Sequence, residues 1–312
     1  MSVLPAAQQA GRIAEKVQEN PITLITGDTG CGKSTQVPRI LLESMRGRIL
    51  CTQPRRLAVM GVASRVAEEL GETLGGDIVG YHVGNQRAGD DGTRLMFATA
   101  GVVLEILKKE GLRVLARYSA IIVDEVHERS VENDLLLACI RRLLPKAGEQ
   151  RLVLMSATAD VMRLRTFFSS LEVVALAASS AIWNTRELYL RQALEFATSH
   201  LRERDAKDSA AADEKLRRQV EALAHEPQEL SLLQPLITRL VLQLLLKMHK
   251  GEAEAPKRGG GDEESSGRTV LVFLPTYATL ESQYDSLPRT LPLGTPLHLL
   301  HSSVDLEGAL AE

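Results

Sequence analysis

The first half of the chain alternates short apolar runs with longer helical patterns, and this alternation constrains the fold more than any other feature. Five runs have the length of buried strands: Ile22–Ile25, Ile49–Thr52, Leu95–Ala98, Ala120–Val123 and Leu152–Met155. Strands that alternate with helices form parallel sheets whose two faces are both covered by helices. The sequence therefore predicts an α/β fold built on a parallel sheet.

Small or polar residues stand at the end of each apolar run. Parallel α/β sheets bind ligands at the carboxyl ends of their strands, because the loops that follow meet there at one edge. The residues at these strand ends are Gly27, Thr52, Thr99, Asp124 and Ser156. We expect them to converge on one site, which a purely structural protein would not need.

Residues 27–34 have the pattern G-x-x-x-x-G-K-[ST] between a predicted strand and a helical pattern. Glycines let backbone N–H groups surround phosphates, and the following helix N-terminus adds positive partial charge. Lys33 is predicted to reach the β- and γ-phosphates, and the Ser34 hydroxyl to bind Mg²⁺. A glycine-rich turn is the alternative, which the strand–loop–helix context disfavours. The predicted nucleotide-binding residues here are Gly27, Asp28, Thr29, Gly30, Cys31, Gly32, Lys33, Ser34 and Thr35.

The apolar run Ala120–Val123 ends in two acidic residues, Asp124 and Glu125. Buried carboxylates are costly unless they are paired or bind a metal. We predict that Asp124 holds Mg²⁺, directly or through water, and that Glu125 is the general base that polarises the attacking water. Such a strand end is common by itself, but after a phosphate-binding loop it indicates an NTPase. The sequence lacks Asn-Lys-x-Asp and Leu-Ser-Gly-Gly-Gln, which disfavours a small GTPase and a transporter ATPase.

Taken in order, several segments resemble the motifs of the DEAH/RHA group of superfamily 2 helicases. They are GDTGCGKST at 27–35 (motif I), TQPRRLA at 52–58 (motif Ia), TAGVVL at 99–104 (motif Ib), DEVH at 124–127 (motif II), SAT at 156–158 (motif III) and VLVFLP at 270–275 (motif IV). Three segments look most like those of plant DExH helicases that carry CCCH zinc fingers. They are DEVHERSVENDLLL from residue 124, GYHVG at 80–84 and LHSSVD at 300–305. No such finger is present in these residues.

The resemblance implies roles for further residues near the catalytic edge. His127 is implied to couple the state of the nucleotide to a second lobe. Ser156 and Thr158 are implied to link hydrolysis to movement through hydroxyl hydrogen bonds to motif II. Arg65 is implied to stack on the nucleotide base. The catalytic set that the resemblance implies is Lys33, Glu125 and His127.

The resemblance also implies the cofactors and the partner. The cofactors are ATP, or another NTP, and Mg²⁺; the partner is single-stranded RNA, with DNA as an alternative. Sequence-independent grip on a strand comes from contacts to its sugar–phosphate backbone. The residues implied to make these contacts are Arg55, Arg56, Thr99 and Gly101. A net charge of −3 argues against bulk attraction to nucleic acid, so binding must depend on such local sites.

The pattern changes near Ala197. Residues 197–226 are charged and alanine-rich, Pro235–Lys250 has the pattern of an amphipathic helix, and Gly251–Gly267 is predicted to be a linker or mobile loop. Val270–Phe273 is a strand candidate, and a further apolar run follows at Leu297–His301. We expect a RecA-like lobe at 1–178 and an incomplete second RecA-like lobe at 179–312, with a charged insertion at 197–267 that is flexible at 251–267.

The remaining features bear on the setting and completeness of the chain. Cys31, Cys51 and Cys139 lack the spacing of a zinc site or a disulfide framework, which favours a reducing intracellular setting, with nucleus and cytoplasm both open. We expect no secretion signal and no membrane anchor. Motifs V and VI of the family do not appear before Glu312, so we expect a fragment of an ATP-dependent RNA helicase core. The alternative is a catalytically weak nucleic-acid-binding scaffold that retains an NTP site.

Overall fold

The computed structural model describes residues 4–143, 150–158, 161–176, 187–199, 213–221, 233–254, 269–289, 291 and 295–299. The chain divides into two compact units, Met1–Asn184 and Thr185–Glu312. The lobe boundary predicted at residue 178 lies outside the described residues and stays a prediction. None of the helices within the described ranges is both long and apolar enough to cross a membrane.

An eight-stranded sheet forms the centre of the first unit. Its strands are β1 (Ile22–Thr26), β2 (Arg48–Gln53), β3 (Val79–Val83), β4 (Gln86–Ala88), β5 (Leu95–Thr99), β6 (Tyr118–Val123), β7 (Arg151–Ser156) and β8 (Glu172–Ala175). They lie in the order β4-β3-β5-β2-β6-β7-β1-β8. Every neighbouring pair is parallel except the hairpin of β3 and β4. The five predicted strands and the predominantly parallel sheet are confirmed.

Helices cover both faces of this sheet, as predicted. They are α1 (Pro5–Gln8), α2 (Ala10–Glu19), α3 (Lys33–Ser44), α4 (Arg56–Leu70), α5 (Ala100–Glu110), α6 (Val131–Leu143) and α7 (Val161–Phe167). Successive side chains of a strand point to opposite faces. In β2, Ile49 and Cys51 pack in a core with α2, α3 and α4, whereas Leu50 packs in a second core with α5 and α6. The sheet is therefore buried on both sides, which explains its continuous apolar strands.

The hairpin of β3 and β4 extends the sheet beyond the predicted strands. A Cβ atom on Gly80 would lie only 2.5 Å from the carbonyl oxygen of Ala88, a backbone atom that cannot move aside easily. Glycine at position 80 therefore lets the two strands of the hairpin approach each other. This accounts for the first residue of the GYHVG segment in structural terms.

The second unit is helical in its described residues. Its helices are α8 (Leu190–Ser199), α9 (213–221), α10 (Gln234–Glu254) and α11 (Tyr277–Ser286). A small core forms from Leu194, Ala197, Leu216, Val220 and Leu236. The amphipathic helix predicted at Pro235–Lys250 is confirmed as α10.

Two predictions for the second unit were wrong in part. Residues 251–254 continue α10 instead of starting a linker, because alanine and glutamate favour the helix once it is formed; residues 255–267 lie outside the described residues. Val270–Phe273 has no regular secondary structure. A strand needs a neighbour for its backbone hydrogen bonds, and the described part of the second unit contains no other strand. Leu271 and Phe273 are 64% and 86% exposed.

The second lobe itself stays a prediction. Residues 297–299 of the predicted apolar run Leu297–His301 also lack regular structure, and residues 300 and 301 lie outside the described residues. The charged insertion is described only in part, as helices α8, α9 and α10. The similarity of residues 270–275 to motif IV therefore rests on the sequence.

Candidate functional site

The predicted strand-end residues converge at the carboxyl edge of the first unit's sheet. The backbone N–H of Asp124 donates to the carbonyl of Thr52 at 3.0 Å, and the N–H of Gly27 donates to the carbonyl of Ser156 at 3.3 Å. Thr99 is the register partner of Gln53 on the neighbouring strand. The strands β5, β2, β6, β7 and β1 are consecutive in the sheet, so their loops form one continuous edge.

The loop between β1 and α3 has the geometry of a phosphate cradle. Gly30 and Gly32 have φ angles of 83° and 90°, which side chains rarely adopt. A Cβ atom on Gly27 would lie 3.0 Å from both Sγ of Cys31 and Cβ of Leu176, so this turn has no room for a side chain. Helix α3 begins at Lys33, and the N–H groups of its first turn have no partner within the helix. These amides can serve as donors to an anion.

The side-chain nitrogen of Lys33 lies inside this loop. Its side chain is buried, and Nζ donates to the carbonyl oxygens of Gly27 at 2.6 Å and Asp28 at 3.0 Å. Sγ of Cys31 lies 3.5 Å from the same nitrogen. The ammonium group is therefore fixed at the loop that the sequence predicts to bind phosphates, which fits the role predicted for it.

Asp124 and Ser34, the two predicted magnesium ligands, are neighbours. Asp124 is fully buried and follows β6. Burial raises the pKa of Asp124, and this is opposed by hydrogen bonds from the Ser34 hydroxyl, the Glu125 N–H and the Gln53 amide, and by the charge of Lys33. A hydroxyl and a carboxylate are the hard oxygen donors that Mg²⁺ prefers. The residues present therefore fit a magnesium ion held together with nucleotide phosphates.

Glu125 has the features of a general base. Its backbone is left-handed, with φ of 53°, and its side chain is 33% exposed. Oε2 is buried and accepts no hydrogen bond, although Nδ1 of His127 lies 3.3 Å away. Burial and the charge of Asp124 raise the pKa of Glu125, while His127 and Lys33 oppose the change. An oxygen without a protein donor, beside the predicted magnesium ligand, is suited to accept a proton from water.

The hydrogen bond of Ser156 differs from the one predicted for motif III, while the bond predicted for the Thr158 hydroxyl stays a prediction. The Ser156 hydroxyl donates to the backbone carbonyl of Thr158 at 2.8 Å, so this bond lies within the motif and does not reach motif II. Ser156, Thr158 and His127 instead line one cavity of about 650 Å³. Residues of motifs II and III therefore line the same cavity.

The residues predicted to hold nucleic acid lie on neighbouring loops. Arg55, with a side chain 74% exposed, forms an ion pair with Glu128 at 3.0 Å. The guanidinium of Arg56 lies beside Gly84 of the β3–β4 turn. Thr99 ends β5, and a Cβ on Gly101 would meet no atom within 4 Å, so there is open space at this one position in the first turn of α5. The structure thus brings the motif Ia and Ib residues to one part of the edge.

Arg65 lies on α4, away from the phosphate loop itself. Its Nε donates to Oε1 of Glu69 at 2.8 Å. The other carboxylate oxygen of Glu69 accepts from the side chain of Gln36 on α3, also at 2.8 Å. Arg65 is therefore connected to the helix of the phosphate loop through Glu69, and its predicted stacking on the base stays a prediction.

Sequence reasoning gave no role to Gln53 or Glu128. Gln53 is buried and donates to Oδ2 of Asp124 at 2.5 Å. Glu128 pairs with Arg55, as described above. Both residues lie inside segments that resemble family motifs. Their places next to residues with predicted roles in those segments were the available signal.

Comparisons with known proteins agree with this geometry. The sequence model described as DEAD/DEAH box helicase matches residues 7–167. The DExH-box ATP-dependent RNA helicase DExH8 of Arabidopsis thaliana is 40% identical over 99% of this chain and 28% of its own length. Zinc finger CCCH domain-containing protein 4 of Oryza sativa subsp. japonica is 39% identical over 98% of this chain and 29% of its own length.

A solved structure has the same fold. The DEAH/RHA helicase HrpB of Escherichia coli superposes with a TM-score of 0.55 at 31% identity, covering 65% of this chain and 27% of HrpB. This chain spans a little over a quarter of the length of these relatives. The first unit is therefore RecA-like, and the predicted resemblance to plant DExH helicases is confirmed. With motif I, motif II and the sheet edge in the expected arrangement, the chain belongs to the DEAD/DEAH box helicase family.

Proposed function

We propose that this chain provides the nucleotide-hydrolysing lobe of an ATP-dependent RNA helicase. The observation that carries the proposal is the arrangement of Ser34, Asp124 and Glu125 next to the buried ammonium group of Lys33. Ser34 and Asp124 are adjacent oxygen donors, and Glu125 presents an oxygen without a protein donor. The similarity to DExH8 of Arabidopsis thaliana, an RNA helicase by name, supports RNA as the partner.

The proposed reaction is the hydrolysis of the γ-phosphate of ATP. Water attacks the γ-phosphorus, the bond to the β–γ bridging oxygen breaks, and ADP leaves. Glu125 accepts the proton of the attacking water, while Lys33 and the amides of the loop hold the β- and γ-phosphates. Mg²⁺, when bound at Ser34 and Asp124, would neutralise charge on the phosphate oxygens. The low exposure of Asp124 keeps bulk water from competing for these contacts.

RNA binding is proposed for the edge beside this site. Arg55 and Arg56 supply two positive charges at the end of β2, and Thr99 and Gly101 begin the neighbouring helix. Contacts of this kind neutralise phosphates without reading bases. His127, Ser156 and Thr158 are proposed to transmit the state of the nucleotide, because they line a shared cavity.

The proposed setting is a reducing compartment inside the cell. Cys31, Cys51 and Cys139 are all free thiols. Cys31 and Cys51 are buried, and burial together with the charge of Asp124 raises the pKa of Cys51. Buried free thiols of this type are compatible with a compartment in which disulfides do not form.

The second candidate function is a scaffold that binds RNA and retains a nucleotide site without hydrolysing ATP. Steady-state ATP hydrolysis by the 312-residue chain, with and without single-stranded RNA, separates the two. We expect slow hydrolysis, because an arginine contributed from elsewhere often raises the rate of phosphoryl transfer by about 10³–10⁵. This hydrolysis should disappear in Glu125→Gln, which lacks the base. ATP binding with no hydrolysis above that of Glu125→Gln would favour the scaffold. Competition between RNA and DNA oligonucleotides of equal length tests the preference for RNA.

A further inference from the structure

The predicted magnesium ligand Asp124 is held by the end of β2, just before the loop proposed to contact RNA. The side-chain amide of Gln53 donates to Oδ2 of Asp124 at 2.5 Å, and the carbonyl of Thr52 accepts the Asp124 N–H at 3.0 Å. Oδ1 accepts the N–H of Glu125 at 2.8 Å. Both carboxylate oxygens are thus oriented, and the hydrogen bond to Oδ2 comes from a side chain of another strand.

The chemistry of Gln53 suits this position. Gln53 is 3% exposed, so its hydrogen bond is shielded from water. Its amide is neutral and can orient a carboxylate without cancelling the negative charge that a divalent cation needs. A lysine or arginine at the same place would compete with the metal for Asp124. Hydrogen-bond partners of metal ligands are known to control metal affinity by about ten- to a hundredfold.

We propose that Gln53 is a positioning residue that sets the Mg²⁺ dependence of ATP binding by orienting the carboxylate of Asp124. The proposal rests on the proposed function, in which Asp124 and Ser34 hold Mg²⁺. Because Gln53 lies two residues before Arg55, it also connects the proposed RNA loop directly to the magnesium site. Gln53 itself ends β2, so the hydrogen bond that orients Asp124 comes from the strand on which that loop begins.

The chain contains a matched control for this side chain. Gln150 is also buried, with 6% exposure, and its amide donates to the carbonyls of Leu115 at 2.5 Å and Tyr118 at 2.9 Å. These partners lie at the amino end of β6, at the opposite edge of the sheet. Replacing either glutamine by methionine keeps the length of the side chain and removes its donors. The two variants therefore differ in location and share the same chemical change.

The test measures the affinity of the whole chain for ATP in excess Mg²⁺ and in EDTA, by calorimetric titration. In Gln53→Met we expect the ratio of the two affinities to fall about tenfold or more, with the affinity in EDTA close to wild type. Gln150→Met should keep the wild-type ratio. In Gln53→Asn the side chain is too short for its amide to reach Asp124, so the ratio of affinities should fall as it does in Gln53→Met. This variant serves as the second test if Gln53→Met does not fold.

Several outcomes would overturn the proposal. A wild-type ratio in Gln53→Met or Gln53→Asn would show that this hydrogen bond does not govern metal binding. An equal loss in Gln53→Met and Gln150→Met would show a general effect of removing a buried amide. If wild type itself bound ATP equally in Mg²⁺ and EDTA, or not at all, the proposed function would fail and this proposal with it.

Discussion

The guanidinium group of Arg55 lies 3.0 Å from the carboxylate of Glu128. This contact joins the loop proposed to hold RNA to the turn that follows the magnesium ligand. Both side chains have access to solvent, so the pair contributes little to stability. Its importance lies in competition, because an RNA phosphate and the Glu128 carboxylate would bind the same guanidinium group.

Removing the charge of Glu128 should therefore strengthen RNA binding. We expect Glu128→Gln to raise the affinity for a single-stranded oligonucleotide about two- to fivefold at low salt, the range of an exposed ion pair. Arg55→Ala should weaken binding and reduce the salt slope by about 0.7. Fluorescence anisotropy measures both quantities. Glu43→Gln, which removes one of the two carboxylates paired with Arg39 on α3, controls for net charge. An equal gain in that variant would contradict the competition.

Lys33 and Glu125 should have separable effects on the nucleotide. Lys33→Ala removes a buried charge-assisted donor, so ATP affinity should fall about ten- to a hundredfold. Glu125→Gln keeps the shape of the site and removes the base, so binding should persist while hydrolysis is lost. Titration with a fluorescent ATP analogue and a phosphate-release assay test the pair. Lys108→Ala, on the exposed end of α5, is the control. Equal affinity in Lys33→Ala and wild type would refute the assignment.

The ion pair of Arg129 and Asp134 should make stability depend on pH. Arg129 lowers the pKa of Asp134 below its ordinary value of 3.8. The stabilisation is therefore present above the unfolded value and is lost as the pH falls through the folded pKa. Asp134→Asn should lower the Tm at neutral pH by at most about 2–4 °C, since the pair is partly exposed. The difference should shrink as the pH falls below 3.8 and vanish below the folded pKa of Asp134. The exposed Asp77→Asn is the control; a pH-independent difference would contradict the linkage.

Two glycines should respond to alanine in opposite directions. In Gly80→Ala the new Cβ would lie 2.5 Å from the Ala88 carbonyl oxygen, so we expect a loss of about 1–3 kcal/mol from overpacking. Gly61 lies inside α4 with no atom within 4 Å of the Cβ position. Gly61→Ala should therefore stabilise the protein by about 0.5–1 kcal/mol. Urea unfolding measures both changes, and a Gly80→Ala variant as stable as wild type would contradict the hairpin geometry.

Sequence alone predicted the strands that are buried on both faces. β1, β2, β5, β6 and β7 are central in the sheet and have continuous apolar runs, because helices cover both of their sides. β4 and β8 are the edge strands and β3 contains Gly80 and His82, so none of the three has such a run. Val270–Phe273 has the same apolar pattern as a central strand and no strand partner in the described residues. A local sequence pattern does not show whether an apolar segment has a neighbouring strand to pair with.

The site was predictable to the extent that its residues share a local motif. Gly27–Thr35 and Asp124–His127 are contiguous segments, so their chemistry can be inferred from spacing. Gln53 acts on Asp124 across two strands, 71 positions apart in the chain. The Ser156 bond to Thr158 depends on the exact turn after β7. Both relationships required the three-dimensional structure.

A crystal structure of the chain with Mg²⁺ and a non-hydrolysable ATP analogue tests the central claim most directly. The account predicts that the β- and γ-phosphates lie against the amides of Gly30–Ser34 and Nζ of Lys33. Mg²⁺ should lie about 2.1 Å from the Ser34 hydroxyl, with Asp124 in direct or water-mediated contact. An analogue bound away from this loop, or Mg²⁺ bound without Ser34 and Asp124, would contradict it.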